Sequence, residues 1–141
     1  MEFKIRAAAK EDCEEIFRMI MELAVFENMP DQVKISHREL ENHGFGPNPL
    51  FECLVAEVPQ EEKSKEGNGI GKGLLSKVAE VAKTQQCARL QLSVLDWNTP
   101  SRDFYSAKGA QDLTVSEGWH LIRFDGENLD NLAKEAPKDG R

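Results

Sequence analysis

Residues 66–83 read EGNGIGKGLLSKVAEVAK, so that glycines at 67, 69 and 71 run without a break into an amphipathic helix. Backbone N–H groups at a helix start have no intrahelical acceptor, and the macrodipole adds positive potential there. A glycine loop that opens a helix is therefore a seat for phosphate. Such a loop ordinarily follows a buried strand that aims it. Here the stretch before it, VPQEEKSKEG at 58–67, is polar and charged, and the strand that should feed the loop is missing. The glycine spacing also argues against two familiar nucleotide sites. A dinucleotide fingerprint needs its third glycine one position later and an acidic residue about twenty residues on, and Asp96 lies too far along the chain. A Walker loop needs Lys followed by Ser or Thr, where this chain has Lys72-Gly73.

Around the loop the periodicity alternates between strand and helix. EFKIRAA at 2–8 suits a first short strand, and Ile16, Met19, Ile20 and Leu23 form one apolar stripe of a helix. Ser36 and Glu39 make a capping box for a short helix, with Gly44 as its stop. LFECLVAEV at 50–58 reads as a strand, and the glycine loop then leads into a helix with Leu74, Leu75, Val78, Val81 and Ala82 inward. RLQLSVL at 89–95 alternates with Leu90, Leu92 and Val94 on one face. Asn98 or Thr99 caps a further helix, Pro100 suits its first turn and Gly109 stops it. WHLIRF at 119–124 is a last strand. The order β-α-α-β-α-β-α-β predicts an α/β domain on a mixed sheet flanked by helices. The 141 residues fit a single domain, with 59–66 as a polar loop and 134–141 as a tail.

Charge and composition narrow the function classes. A net charge of −7 argues against nucleic acid, which needs a basic face, and favours a cationic partner. No apolar run is long enough to cross a bilayer, and the first residues carry no apolar signal core, so a cytoplasmic protein without a membrane partner is expected. Cys13, Cys53 and Cys87 are widely spaced and read as buried thiols of a reducing compartment. His37, His43 and His120 share no ligand spacing with them, so no metal is expected.

Six stretches carry a family resemblance: IRAAAKEDCEEIFRMIMELAVFE, DQVKIS, GFGPNPLFECLVAEV, GNGIGKGLLSKVAEVA, LSVLDWNTPSRDFYSAKGAQDLT and EGWHLIRF. Together they resemble the diamine acetyltransferases of the GNAT superfamily, the spermidine/spermine acetyltransferases and their thialysine-acetylating branch. VLDWN and the GAQDLT and EGWH segments look more like that branch. The resemblance implies a GNAT fold and transfer of acetyl from acetyl-CoA to a primary amine of a polyamine, a diamine or thialysine. It places the CoA pyrophosphate on the backbone of Gly67, Asn68, Gly69, Ile70, Gly71 and Lys72. It places further CoA contacts at Asn98, Thr99, Pro100 and Ser101, and a weaker one at Lys108. Tyr105 matches the family tyrosine that protonates the departing thiolate, a task within reach of a well-placed phenol. Phe26 and Glu27 match the acceptor site, with Gln91, Leu92 and Ser93 on the strand beside it. The family is dimeric, and WHLIRF offers an edge strand for a homodimer. On the residues alone, Tyr105 and Phe26 read equally as core and Asn98 as a helix cap.

The chain departs from the family in one place. Two strands expected between LVAEV and the glycine loop are absent, replaced by 59–66 with a break at Glu66-Gly67. The strand that feeds the loop goes with them, as does the family glutamate that relays the amine proton. Glu66 stands where the family has Arg or Gln. Because two antiparallel strands are lost, LFECLVAEV keeps the direction of the missing strand. It can slide into its place beside RLQLSVL, with Glu57 as surrogate base at the family's spacing before Gly67. The competing outcome pairs LFECLVAEV only with the first strand. Two functional readings stay open on sequence: an acetyl-CoA-dependent amine acetyltransferase, or a catalytically impaired short form that serves as a dimer partner or has no function.

Overall fold

The computed structural model describes residues 3–59 and 69–138. The elements are β1 (Lys4–Ala7), a 3-10 turn (Lys10–Asp12), α1 (Cys13–Phe26), a second 3-10 turn (Pro30–Gln32), α2 (His37–Phe45) and β2 (Leu54–Glu57). They continue as α3 (Ile70–Thr84), α4 (Thr99–Ala107), α5 (Leu113–Glu117) and α6 (Gly126–Lys134). The chain divides into two compact units, Met1–Ser93 and Val94–Arg141.

In the first unit β1 and β2 form an antiparallel ribbon, with Lys4 opposite Glu57 and Ala7 opposite Leu54. Arg6 locks the ribbon to the turn that follows it. Its guanidinium donates to both Asp12 carboxylate oxygens at 2.7 and 3.0 Å and to Glu57 Oε1 at 2.5 Å. That guanidinium, helped by the Ala9 N–H, holds the Asp12 carboxyl at about 2, well below the usual carboxylate range. α1 packs on α2, and among the described residues the buried ones are Cys13 and Ala24 of α1 and Leu40 of α2. The buried side of α1 therefore runs through Cys13 and Ala24, while Met19 and Leu23 of the expected stripe are exposed. Burial pushes the thiols of Cys13 and Cys53 up, but Cys87 is exposed, so the buried-thiol expectation fails for that residue.

Local signals are realised closely. Ser36 Oγ accepts from the Glu39 N–H and Glu39 Oε1 accepts from the Ser36 N–H, both at 3.2 Å. The helix runs past Gly44 and ends at Phe45 with Gly46 as its C-cap. Gly44 is instead a contact glycine, because the Phe51 ring occupies the space its Cβ would need.

The sheet differs from expectation. Among the described residues it has only β1 and β2, so it is antiparallel and not mixed. Residues 89–95 form no strand, and Leu90, Leu92 and Val94 lie exposed. Among the described residues β2 pairs with β1 alone, and 89–95 is not a strand beside it, so the proposed slide of LFECLVAEV beside RLQLSVL does not occur. Segment 119–124 is likewise not a strand, with Trp119, Leu121, Ile122 and Phe124 all exposed. Alternation marks a face that can be buried, but a strand also needs a neighbour to pair with, and among the described residues neither segment has one.

In the second unit Asn98 caps α4, and Asp112 caps α5 by accepting from Thr114 and Val115 N–H at 3.1 and 3.4 Å. Arg102 joins the two helix starts, donating to the Asp96 carbonyl at 3.1 Å and to Asp112 Oδ2 at 3.3 Å.

Candidate functional site

The start of α3 has the geometry of an anion seat. Gly69 is its N-cap residue with φ +75, the left-handed region that glycine enters at no steric cost. The first intrahelical bond runs from the Gly73 N–H to the Gly69 carbonyl at 2.9 Å. The N–H groups of Ile70, Gly71 and Lys72 therefore point out of the helix start. The first turn carries no acidic side chain, and Gly69 offers no side-chain acceptor to occupy those donors. A Cβ added at Gly71 would meet nothing within 4 Å. Nothing in the described protein therefore requires glycine at 71, and its bare backbone is open to approach from outside. The residues present thus fit a pyrophosphate held by backbone N–H groups. Gly67 and Asn68, assigned to the same seat, lie outside the described residues, as do Glu66 and most of the junction loop.

Gly73 escaped the sequence reading. A Cβ there would stand 2.8 Å from the Phe3 ring and 3.3 Å from Ile5 Cδ1, so glycine lets α3 lie on β1. The signal was present: a glycine inside a helix of good helix formers costs about 1 kcal/mol and calls for a packing reason.

The start of α4 is built differently. Asn98 Oδ1 accepts from the Ser101 N–H at 3.3 Å, and Thr99 N–H donates to the Trp97 carbonyl at 2.9 Å. Pro100 has no N–H at all. This helix start satisfies its own donors, so any ligand contact from Asn98, Thr99 or Ser101 has to come from side chains. Tyr105 sits half-buried on α4 with its ring edge-on to Phe104, centroids 5.4 Å apart. Among the described residues its hydroxyl makes no hydrogen bond, which leaves it able to donate. Lys108 is exposed at the C-cap of α4.

The acceptor-side residues are less organised. Phe26 ends α1 and is exposed, and Glu27 is the half-buried C-cap that follows. α1 packs on α2 while α3 packs on β1 and β2, and among the described residues no Cα of α1 comes within 8 Å of one in α3. Gln91, Leu92 and Ser93 are exposed in an irregular segment and form no strand wall. Glu57 is not a free base. Its carboxylate is bound to Arg6, whose guanidinium occupies the Oε1 acceptor.

Comparison with known proteins supplies the lineage. The profile of the "Acetyltransferase (GNAT) family" matches residues 62–110. The chain is 41% identical to the thialysine N-epsilon-acetyltransferase of Bos taurus over 163 aligned residues, covering 92% of this chain and 96% of that one. It is 36% identical to the spermidine/spermine N(1)-acetyltransferase-like protein 1 of Homo sapiens, covering 94% of this chain and 24% of that one. An alignment of 163 residues is longer than the 141 of this chain, so the bovine relative has internal residues without counterpart here. That accords with the expected internal shortening. An integron cassette protein from the mobile metagenome of V. cholerae has the same fold, with a TM-score of 0.68 over 96% of this chain and 99% of that one at 22% identity. From the relatives of 36–41% identity and the profile match, the chain belongs to the acetyltransferase (GNAT) family.

Proposed function

We propose that this chain is an amine N-acetyltransferase that moves acetyl from acetyl-CoA to a primary amine of a small cationic acceptor. The acceptor class is a polyamine, a diamine or thialysine, the last named for the bovine relative at 41% identity. The observation that carries the reading is the start of α3. It combines a left-handed Gly69, three outward N–H groups and open space at Gly71, with no acidic side chain in the first turn. Acetyl-CoA supplies a thioester carbon that an amine can attack. The N–C bond forms, the C–S bond breaks and the amine sheds its proton to solvent water. The departing thiolate takes a proton from the Tyr105 hydroxyl, and the phenolate left behind regains one from solvent. Glu27 beside Phe26 supplies a carboxylate for the second ammonium of a diamine, and the net charge of −7 favours the encounter. Gln91, Leu92 and Ser93 stay as acceptor contacts in this reading, and Lys108 as a minor CoA contact. The protein acts as a cytoplasmic homodimer, with the whole chain as one catalytic domain.

A second reading has a specific observation behind it. Glu57 is held by Arg6, and residues 89–95 have no strand partner among the described residues, so a short form without a proton acceptor for the amine would bind CoA yet turn over poorly. One experiment separates the two. Isothermal titration with acetyl-CoA, followed by a thiol assay for CoA release with spermidine, a short diamine and thialysine, should give binding and amine-dependent release. Binding without release selects the impaired form, and absence of both removes the reading of α3.

A further inference from the structure

The three described glycines of the α3 start have three different reasons for being glycine. Gly69 needs its left-handed backbone, Gly71 faces open space and Gly73 is in contact. At Gly73 a Cβ would meet Phe3 Cε2 and Cζ at 2.8 Å and Ile5 Cδ1 at 3.3 Å. Real Cβ contacts are rarely tighter than about 3.4 Å, so even one methyl group forces the ring or the helix to move. Phe3 and Ile5 are two residues apart at the start of β1, so they share the face of the ribbon on which α3 lies. Lys4 and Arg6 take the other face, where Arg6 is fixed by Asp12 and Glu57. The ribbon is thus pinned from one side and presents an apolar step on the other.

Gly73 is also the residue whose N–H makes the first intrahelical bond, to the Gly69 carbonyl. Whatever sets the height of Gly73 above β1 sets where the N–H groups of Ile70, Gly71 and Lys72 point. We propose that Phe3 and Gly73 form a positioning contact that fixes the depth of the α3 start, and so sets the affinity of the chain for the CoA pyrophosphate without touching it. The proposal rests on the reading of that helix start as the phosphate seat. Misplacing a binding group by about 1 Å can cost up to 10²-fold in an oriented reaction. Because the clash falls on the tip of a ring with two free torsions, part of the strain relaxes, and a smaller loss is expected.

The test is a pair of variants read by CoA titration, with circular dichroism and thermal melting alongside. Gly73→Ala should weaken CoA binding by roughly fivefold or more, although alanine is the better helix former and would by propensity alone strengthen α3. Adding Phe3→Ala removes the ring that the new methyl strikes and should restore CoA affinity to within about twofold of the unaltered chain. That rescue is the outcome a general loss of folding cannot imitate. Gly73→Ala binding as tightly as the unaltered chain overturns the proposal, as does a loss that Phe3→Ala fails to repair. Gly69→Glu runs as the control. If it abolishes binding while Gly73→Ala changes nothing, the phosphate seat stands and only the positioning contact falls. If the unaltered chain does not bind CoA, or Gly69→Glu binds equally well, the seat itself is wrong and the positioning contact falls with it.

Discussion

Helices α3 and α4 begin in opposite ways. α3 starts from a left-handed glycine with no side-chain cap, and its first three N–H groups point outward. α4 starts from Asn98, whose Oδ1 accepts from the Ser101 N–H, with Pro100 in the first turn. Among the described residues one helix start keeps its backbone donors open, and the other is closed by its own residues. In the proposed function, a ligand at α3 meets backbone, whereas a ligand at α4 meets side chains: the Asn98 amide, the Thr99 and Ser101 hydroxyls and the Tyr105 phenol. Substitutions that obstruct backbone should strike binding at α3, whereas substitutions that remove single atoms should strike turnover or stability at α4.

The largest expected effect is at Gly69. Gly69→Glu puts a carboxylate where the pyrophosphate would lie, and like-charge juxtaposition costs several kcal/mol, so CoA affinity should fall by roughly 10²-fold or more. Glutamate at φ +75 also carries backbone strain. Gly69→Asn, which tolerates the left-handed region, isolates the charge effect and should stay within about tenfold of the unaltered chain. Unchanged affinity in the glutamate variant would erase the contrast between the two helices.

Tyr105→Phe comes next, and it tests α4. Removing one hydroxyl should lower kcat by roughly 10²-fold, the scale of general acid catalysis, with acceptor KM and CoA affinity little changed. Equal turnover in the two proteins would make Tyr105 a packing residue beside Phe104.

A smaller effect sharpens the α3 side. Gly71→Ala meets no protein atom within 4 Å. Alanine in place of glycine within a helix should therefore stabilise the fold by about 0.5–1 kcal/mol. If the pyrophosphate approaches that backbone, the same methyl should weaken CoA binding by roughly tenfold. A higher melting temperature with lower affinity is the signature; a gain in both would show that nothing docks at Gly71.

What could be read in the sequence divides along the same physical line. The capping box at Ser36 and Glu39, the Asn98 cap and the start of α3 are encoded within four residues, and each forms as expected. β1 and β2 were also legible, although shorter than their apolar runs. Residues 89–95 and 119–124 carry the same alternation, yet neither forms a strand, because pairing depends on a neighbour that lies elsewhere in the chain. Glu57 kept the right spacing to stand in for a base, but spacing said nothing of Arg6 across the ribbon. Gly73 was missed for a related reason: its partner Phe3 lies at the far end of the unit in sequence. α5 had local signals in Asp112 and Gly118, which cap and stop it, but at five residues it is too short to leave a periodic pattern.

The smallest expected effect concerns Asn98, where a cap and a ligand contact are both on offer. Asn98→Ala removes the acceptor that holds the Ser101 N–H, and losing an N-cap of this kind costs about 1 kcal/mol. That loss is readable as a lower denaturation midpoint, and by itself it says nothing of CoA. Asn98→Asp separates the two roles. Aspartate keeps an oxygen acceptor and suits the positive end of the helix, so stability should return to the level of the unaltered chain. It loses the amide donor and adds a negative charge. If Asn98 donates to CoA, affinity should therefore drop by roughly fivefold even as stability recovers. The contrast between the helices then holds in full, with α4 closing its backbone through the Oδ1 of Asn98 and meeting the ligand through Nδ2. Should Asn98→Asp bind CoA as tightly as the unaltered chain, Asn98 is a cap alone, and α4 would contribute through Tyr105 and the hydroxyls of Thr99 and Ser101.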